Sequence, residues 1–304
     1  MSSEATLIAA LRALAPHPAA RGLLDDAAVL EFGGESLVLT HDMMVEGVHW
    51  LAGQDPADVA YKLVAVNLSD LAAKGAEPLG VLLGYTLGDN DARFLVGLAE
   101  ALAEFQVPLL GGDTVSAPAR SARAIGLTAV GRATCRPVPS RTGAGPGDEV
   151  WITGSLGGAM LGFEALRDGD ATGAIDTRAF RRPCPLLAEG RALAPLVSAM
   201  MDVSDGLLLD ATRMAQASGV TIALDARAIP LARGVPEARR REALAWGDDY
   251  QLLFTCPPGR ALPASVRGHA VPARIGTVEA RGSYPVLLDR SPPAGALGFQ
   301  HGST

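Results

Sequence analysis

The chain has 304 residues, 48% of them apolar and 19% charged, with a formal charge of −7 at neutral pH. That is enough chain for two domains with buried cores, and it excludes a disordered polypeptide. The acidic balance excludes broad nucleic-acid binding, and no apolar run approaches the roughly 18 residues of a membrane span.

In chain order, 6–14 predicts a short amphipathic helix, broken by Ala15-Pro16-His17-Pro18, and 37–40 predicts a strand. Asp55-Pro56 sets an N-cap beside a proline at the first helical position, so a helix is predicted over 56–74, with Gly75 to end it. Next come a strand at 81–87, a helix at 92–104, a strand at 107–110 running into Gly111-Gly112-Asp113, and a strand at 124–131. The proline- and glycine-rich segment 132–147 interrupts the pattern and predicts a boundary between domains 1–136 and 137–304. The second half is predicted to hold a strand at 149–153, a tight glycine turn at 154–158 and a helix to 167. A helix at 186–198, a strand at 199–201, a helix at 205–217 capped by Ser204, and strands at 220–224 and 251–255 follow. The tail from 282 carries little periodic signal. Alternating strands and helices predict α/β or α+β architecture.

Cys135, Cys184 and Cys256 lie far apart with no CxxC spacing, which predicts reduced thiols in a cytoplasmic protein. The start, Met-Ser-Ser-Glu-Ala, lacks the basic segment of a secretory signal.

Several apolar runs end in aspartate: Leu24-Asp25-Asp26, Leu39-Thr40-His41-Asp42, Leu110-Gly111-Gly112-Asp113 and Met201-Asp202-Val203-Ser204-Asp205. Asp70, three residues after Asn67 and on the same helix face, adds another acid. One such acid is ordinarily a cap or turn residue; acids recurring at converging strand ends predict a site for hard cations shared with phosphate oxygens. There is no GxxxxGK[ST] and no HRD or DFG set, so neither a P-loop nor a protein-kinase mechanism fits. Metals are then the main electrophile, and Arg141 is the candidate for bidentate phosphate contact. His49-Trp50 reads either as a packed surface pair or as a substrate contact.

A family resemblance is carried by Asp25-Asp26-Ala27-Ala28, by Thr40-His41-Asp42 through Val45-Glu46-Gly47-Val48-His49-Trp50, and by Asp55 through Lys62. It continues in Ala65-Val66-Asn67-Leu68-Ser69-Asp70-Leu71-Ala72-Ala73-Lys74-Gly75-Ala76, Gly111-Gly112-Asp113-Thr114, Arg141 through Asp148, Met201-Asp202-Val203-Ser204-Asp205-Gly206-Leu207 and Gly247-Asp248-Asp249-Tyr250-Gln251-Leu252. These stretches, in order along nearly the whole chain, resemble the thiamine-monophosphate kinases. That family belongs to the superfamily of aminoimidazole ribonucleotide synthetase and selenophosphate synthetase.

The resemblance implies two domains, each a mixed sheet packed with helices, the first binding ATP and Mg²⁺ and forming a homodimer. It implies ATP-dependent phosphorylation of thiamine monophosphate by direct transfer, with several Mg²⁺ ions and no covalent nucleophile. By the same resemblance Asp26, Asp42, Asp70, Asp113, Asp202 and Asp205 hold metal, with Thr40 and position 41 adding oxygen ligands. Phe105, Gly112, Asp113, Arg141 and Ser204 contact ATP; His49, Asp248 and Phe299 contact the thiamine phosphate. No nucleic-acid or membrane partner is implied.

The chain departs from the family in four places. Gly22-Leu23-Leu24 replaces a Gly-x-Gly, His41 stands for Thr or Ser, Asp248-Asp249-Tyr250-Gln251 for Glu-Asp-Tyr-Glu, and Phe105 for tyrosine. The alternatives are another ATP-dependent synthetase of the superfamily and a non-catalytic ATP-binding dimer. Selenophosphate synthesis is disfavoured because no cysteine precedes Cys135.

Overall fold

Alternating burial along 28–45 and 124–133 makes strands with one face for a core and one left open. The computed structural model describes residues 4–118, 121–169, 173, 175–263 and 272–301. Its first sheet comprises β1 (Ala28–Phe32), β2 (Glu35–Val45), β3 (Ala76–Thr86), β4 (Leu109–Val115) and β5 (Ala124–Ala133), in the order β1-β2-β5-β3-β4. All neighbours are antiparallel except β3 and β4. The chain enters this sheet from α1 (Glu4–Arg12) and a 3₁₀ segment, Pro18–Leu23.

Helix α2 (Pro56–Ala73) begins as its sequence dictates: Asp55 accepts a 3.0 Å bond from the Ala57 N–H, and Pro56 fills the first turn. Every residue from Ala57 to Ala73 is buried. A helix buried all round needs cover on more than one side. The first sheet and α3 (Asp91–Glu104) supply one part, and the second domain supplies the rest. Ala72 and Ala73 pack with Leu186, Leu193, Met200 and Phe254, so α2 lies between the two sheets.

The second sheet runs β11-β8-β10-β6-β9-β7. Its strands are β6 (Glu149–Ile152), β7 (Ala199–Asp202), β8 (Thr221–Leu224), β9 (Leu252–Cys256), β10 (Ala273–Glu279) and β11 (Val286–Leu288). Helices α4 (Gly158–Asp168), α5 (Arg178–Arg181), α6 (Leu187–Leu193), α7 (Leu207–Ser218) and α8 (Arg240–Trp246) complete this half. Both halves are mixed sheets packed with helices, as the sequence leads one to expect. No helix among the described residues is long and apolar enough to cross a membrane.

Four local expectations change. The helix expected over 186–198 stops at Leu193, because Pro195 cannot continue it. Ser204 is not a cap: α7 starts later, with Gly206 at the N-cap in a positive-φ conformation. Gly111-Gly112-Asp113 is not a turn after a strand but the middle of β4; a Cβ on Gly112 would come within 2.0 Å of the Leu83 carbonyl oxygen on β3. The acids also do not share strand ends. Asp26 precedes β1, Asp42 lies within β2, Asp70 is on α2, and only Asp202 closes a strand.

Candidate active site

The acidic residues converge nonetheless. Carboxylate oxygens of Asp26, Asp70 and Asp202 lie within 4.8 Å of one another. Strand alternation turns Thr40 and Asp42 of β2 toward the same place. The Thr40 hydroxyl donates to Asp70, the Ser69 hydroxyl donates to Asp202 at 2.5 Å, and the Asp42 N–H donates to the Asn67 Oδ1 at 2.9 Å. One turn of α2, 67–70, thereby organises the cluster.

Burial and mutual repulsion make these carboxyls reluctant to ionise. Burial first, then Asp26 and Asp205, pushes Asp42 up to about 6. Burial, then Asp26, pushes Asp202 up to about 8. Asp70 stands well above the ordinary carboxylate range through burial and its neighbours Asp42, Asp202 and Asp26. Deeper still, Asp210 is pushed up to about 7 by burial and by Asp205. Oxygen-only, carboxylate-rich donors this close suit a hard divalent cation, and such a cation would relieve the repulsion.

Fixed cations already offset part of the charge. Lys74 is wholly buried and bonds Asp25 and Asp26. Burial works to raise Asp25, but Lys74 and Arg21 hold it down at about 2. Arg141 bonds Asp26, and Arg213 bonds Asp205 and Asp210. The Asp205 carboxylate is therefore occupied by Arg213 rather than joined to the three converging acids.

The cluster opens on a cavity of about 720 Å³ lined also by Ser204, His49, Phe163, Phe180, Trp246, Asp248, Phe299 and His301. His49 accepts the Val45 N–H at Nδ1, 3.0 Å away, so the neutral ring carries its proton on Nε2, free to donate. Burial lowers its pKa, keeping it neutral. Asp248 is held at both oxygens, by the Lys62 ammonium at 2.8 Å and the Tyr250 hydroxyl at 2.8 Å. Lys62, itself buried, also donates to the His49 carbonyl and lies 3.8 Å from the centre of the Phe180 ring. Phe299 is brought in by the tail, its N–H bonded to the Asp205 carbonyl at 2.9 Å. In the Gly154–Gly158 turn the Gly157 N–H donates to Asp249 at 2.9 Å.

Four expected site residues stand apart from the cluster. The His41 imidazole is on the outer face of β2, 2.9 Å from the Thr128 hydroxyl, so its side chain is not a ligand of the cluster; only its backbone passes there. Asp113 is exposed on edge strand β4, and Gly112 precedes it. Phe105 packs edge-on against Tyr61 beside a second cavity with Glu104 and Arg191. Conversely, Arg213 and the Phe163–Phe180–Trp246 wall join the site unannounced by motif, as do Lys62 and Lys74, which lie in the runs that carry the resemblance but carry no expected role. One signal was present: these are the only lysines in a chain whose other basic residues are all arginine.

The chain is similar to known proteins over nearly its whole length. Residues 24–133 match the family model of the AIR synthase related protein N-terminal domain, and residues 145–289 that of the C-terminal domain. It is 38% identical to the thiamine-monophosphate kinase of Caulobacter vibrioides over 306 aligned positions, covering 94% of this chain and 86% of the relative. The corresponding kinase of Escherichia coli K12 is 37% identical, covering 78% and 76%. Among solved structures, AaThiL complexed with AMPPCP and TMP superposes with a TM-score of 0.87 at 28% identity, covering 98% of this chain and 97% of that one. The thiamine-monophosphate kinase of Stenotrophomonas maltophilia superposes with a TM-score of 0.75 at 31% identity, covering 95% and 96%.

Proposed function

We propose how the acidic cavity works in a chain that belongs to the thiamine-monophosphate kinase family of AIR synthase related proteins. The chain is a phosphotransferase: it moves the terminal phosphoryl group of ATP onto the phosphate of thiamine monophosphate, giving thiamine diphosphate and ADP in thiamine biosynthesis. The observation that carries our reading is that the Asp26–Asp70–Asp202 cluster and the aromatic-walled pocket around His49 and Asp248 share one cavity.

An acceptor phosphate oxygen is already negative at neutral pH, so no general base has to create the nucleophile. The bond from that oxygen to the γ-phosphorus forms as the bond between the γ-phosphorus and the β–γ bridging oxygen breaks, and that oxygen leaves with the electron pair on ADP. Charge neutralisation and alignment are then what the protein must supply. Asp26, Asp42, Asp70 and Asp202 would hold Mg²⁺, with the Thr40 oxygen as a further ligand; Asp205, bonded to Arg213 through Oδ2, would have only Oδ1 left to offer. Mg²⁺ bound there would neutralise oxygens of both phosphates. Arg141 lies against Asp26 with its guanidinium ready to bridge to a nucleotide phosphate, beside Ser204. His49 Nε2–H steadies the acceptor phosphate. Phe163, Phe180, Trp246 and Phe299 give a cationic thiazolium its aromatic faces, and Asp248, ion-paired with Lys62, supplies polar carboxylate oxygens to the same pocket. Three cysteines, far apart in sequence and without CxxC spacing, fit a cytoplasmic enzyme.

The test is turnover with ATP and Mg²⁺, reading thiamine diphosphate by chromatography. Thiamine itself should be a poor acceptor, and His49→Ala should raise KM for thiamine monophosphate several-fold more than for ATP. Equal turnover of thiamine, or equal changes in both KM values, would overturn these roles.

We also propose a homodimer through the first sheet. Met43 and Leu82 are 55% and 41% exposed on its outer face, and Leu110 is 57% exposed on β4, the edge strand beside β3. An apolar sheet face with an open edge calls for cover. A second copy docked there would also enclose Asp113 and His41, which stand apart in the single protomer. Light scattering should give twice the chain mass, and Leu82→Asp should give monomers. A wild-type monomer that retains full activity would refute it.

A further inference from the structure

We propose that Lys74 is a built-in cation of the phosphate site: its ammonium takes the place of a divalent ion between Asp25 and Asp26, and so limits how many Mg²⁺ ions the cluster binds. The inference rests on reading that cluster as a Mg²⁺ site. It begins from position. Lys74 follows the last turn of α2 and donates its backbone N–H to the Asp70 carbonyl at 3.2 Å, so it is fixed to the helix that carries Asp70. A helix C-terminus favours a positive charge. The side chain is 0% exposed, and its Nζ meets oxygens only: Asp25, Asp26 at 3.0 Å and the Met200 carbonyl at 3.5 Å.

Those contacts decide which carboxylates remain for metal. Both Asp25 oxygens are committed: Oδ2 to Arg21 at 2.5 Å, and Oδ1 to Lys74, to the Arg141 N–H at 3.2 Å and to the Asp26 N–H at 3.1 Å. Asp26 is held at both oxygens too, Oδ1 by Arg141 and Oδ2 by Lys74 at 3.0 Å, so a Mg²⁺ reaching the pair meets no carboxylate free of cations and must share Asp26 with these two. The flanking residues are Ala72, Ala73 and Met200, an apolar setting in which an unpaired ammonium would be costly and a methionine would pack well. A compact point charge suits this place where a planar guanidinium does not, in a chain that otherwise uses arginine throughout.

Two measurements test it. Mn²⁺ bound per protomer in the presence of AMPPCP, counted from free Mn²⁺ by electron paramagnetic resonance, should be one higher in Lys74→Met than in wild type. In wild-type protein labelled with ¹⁵N-lysine, the two side chains give two ammonium signals. The buried Lys74 signal should stay protonated and slow to exchange when Mg²⁺ and AMPPCP are added. An unchanged Mn²⁺ count in Lys74→Met, or passage of the Lys74 signal into fast exchange on adding Mg²⁺, overturns the inference while leaving the Mg²⁺ reading intact. Should wild type bind no Mn²⁺ with nucleotide, the Mg²⁺ reading fails and the inference with it. The second measurement is read on wild-type protein, with the Lys62 signal identified by its loss in Lys62→Arg, so it decides the matter even where Lys74→Met does not fold.

Discussion

Asp70→Asn is expected to lower turnover by about two orders of magnitude or more, and at the same time to raise the melting temperature of the metal-free protein. Both effects come from one charge. Asp70 is buried on α2, among Asp26, Asp42 and Asp202, and its carboxyl is held well above its ordinary pKa by burial and by those neighbours. Without metal, ionising it sets one more negative charge in a low-dielectric cluster. Asparagine has the same shape, lacks the charge, and can still accept the Thr40 hydroxyl bond that Asp70 accepts. Stability should therefore rise, by a few degrees for each kcal/mol relieved in a chain this long. Activity should fall because a ligand to the phosphate-bridging cation has lost its charge, and several kcal/mol of transition-state stabilisation goes with it. Calorimetry on metal-free protein and steady-state rates at saturating Mg²⁺ check the two halves. A variant within about tenfold of wild-type rate would remove Asp70 from the metal site. A lower melting temperature without metal would show that its carboxylate serves the fold instead.

That opposition between fold and function explains which features could be read in advance. The start of α2 is local chemistry, an aspartate cap and a first-turn proline, and the structure shows both in use. The acids could be named because they sit in specific runs of sequence, but the reason first given for their convergence does not hold. They meet because α2 is laid between two sheets, against β2 on one side and β7 on the other. Nothing local in 56–73 encodes that placement. His41 is different, since the answer was available: if Thr40 and Asp42 face inward, strand alternation sends position 41 outward, and there it lies. Lys74 reads as an ordinary last-turn residue, and its role depends on Asp25, 49 residues earlier. Phe163, Phe180 and Trp246 join the cavity wall from three separate helices, with no spacing to connect them.

Metal-free protein is also expected to lose stability as pH rises from about 5 to 9, and Mg²⁺ with nucleotide should flatten that slope. Asp42, Asp210 and Asp202 are pushed up to about 6, about 7 and about 8. Unfolded, each would titrate near 3.9. Between the two values the folded state holds protons that the unfolded state has released. Their stabilisation is complete below about 4 and is lost as pH climbs through each folded value in turn. Asp25 runs the other way: its pKa is lowered to about 2, so its contribution is present above about 4 and is lost only in acid, outside this window. His49, lowered by burial, opposes the trend near the bottom of the range, as one imidazole against three carboxyls. Each proton held only by the folded state contributes about 1.4 kcal/mol per pH unit, so a decline of several degrees in melting temperature should be measurable. Bound cations keep the carboxylates ionised in the fold, which removes the proton difference and with it the slope. A melting temperature that is flat or rising from pH 6 to 9 without metal would mean that these acids are already paired with the protein's own cations and exert no demand for Mg²⁺.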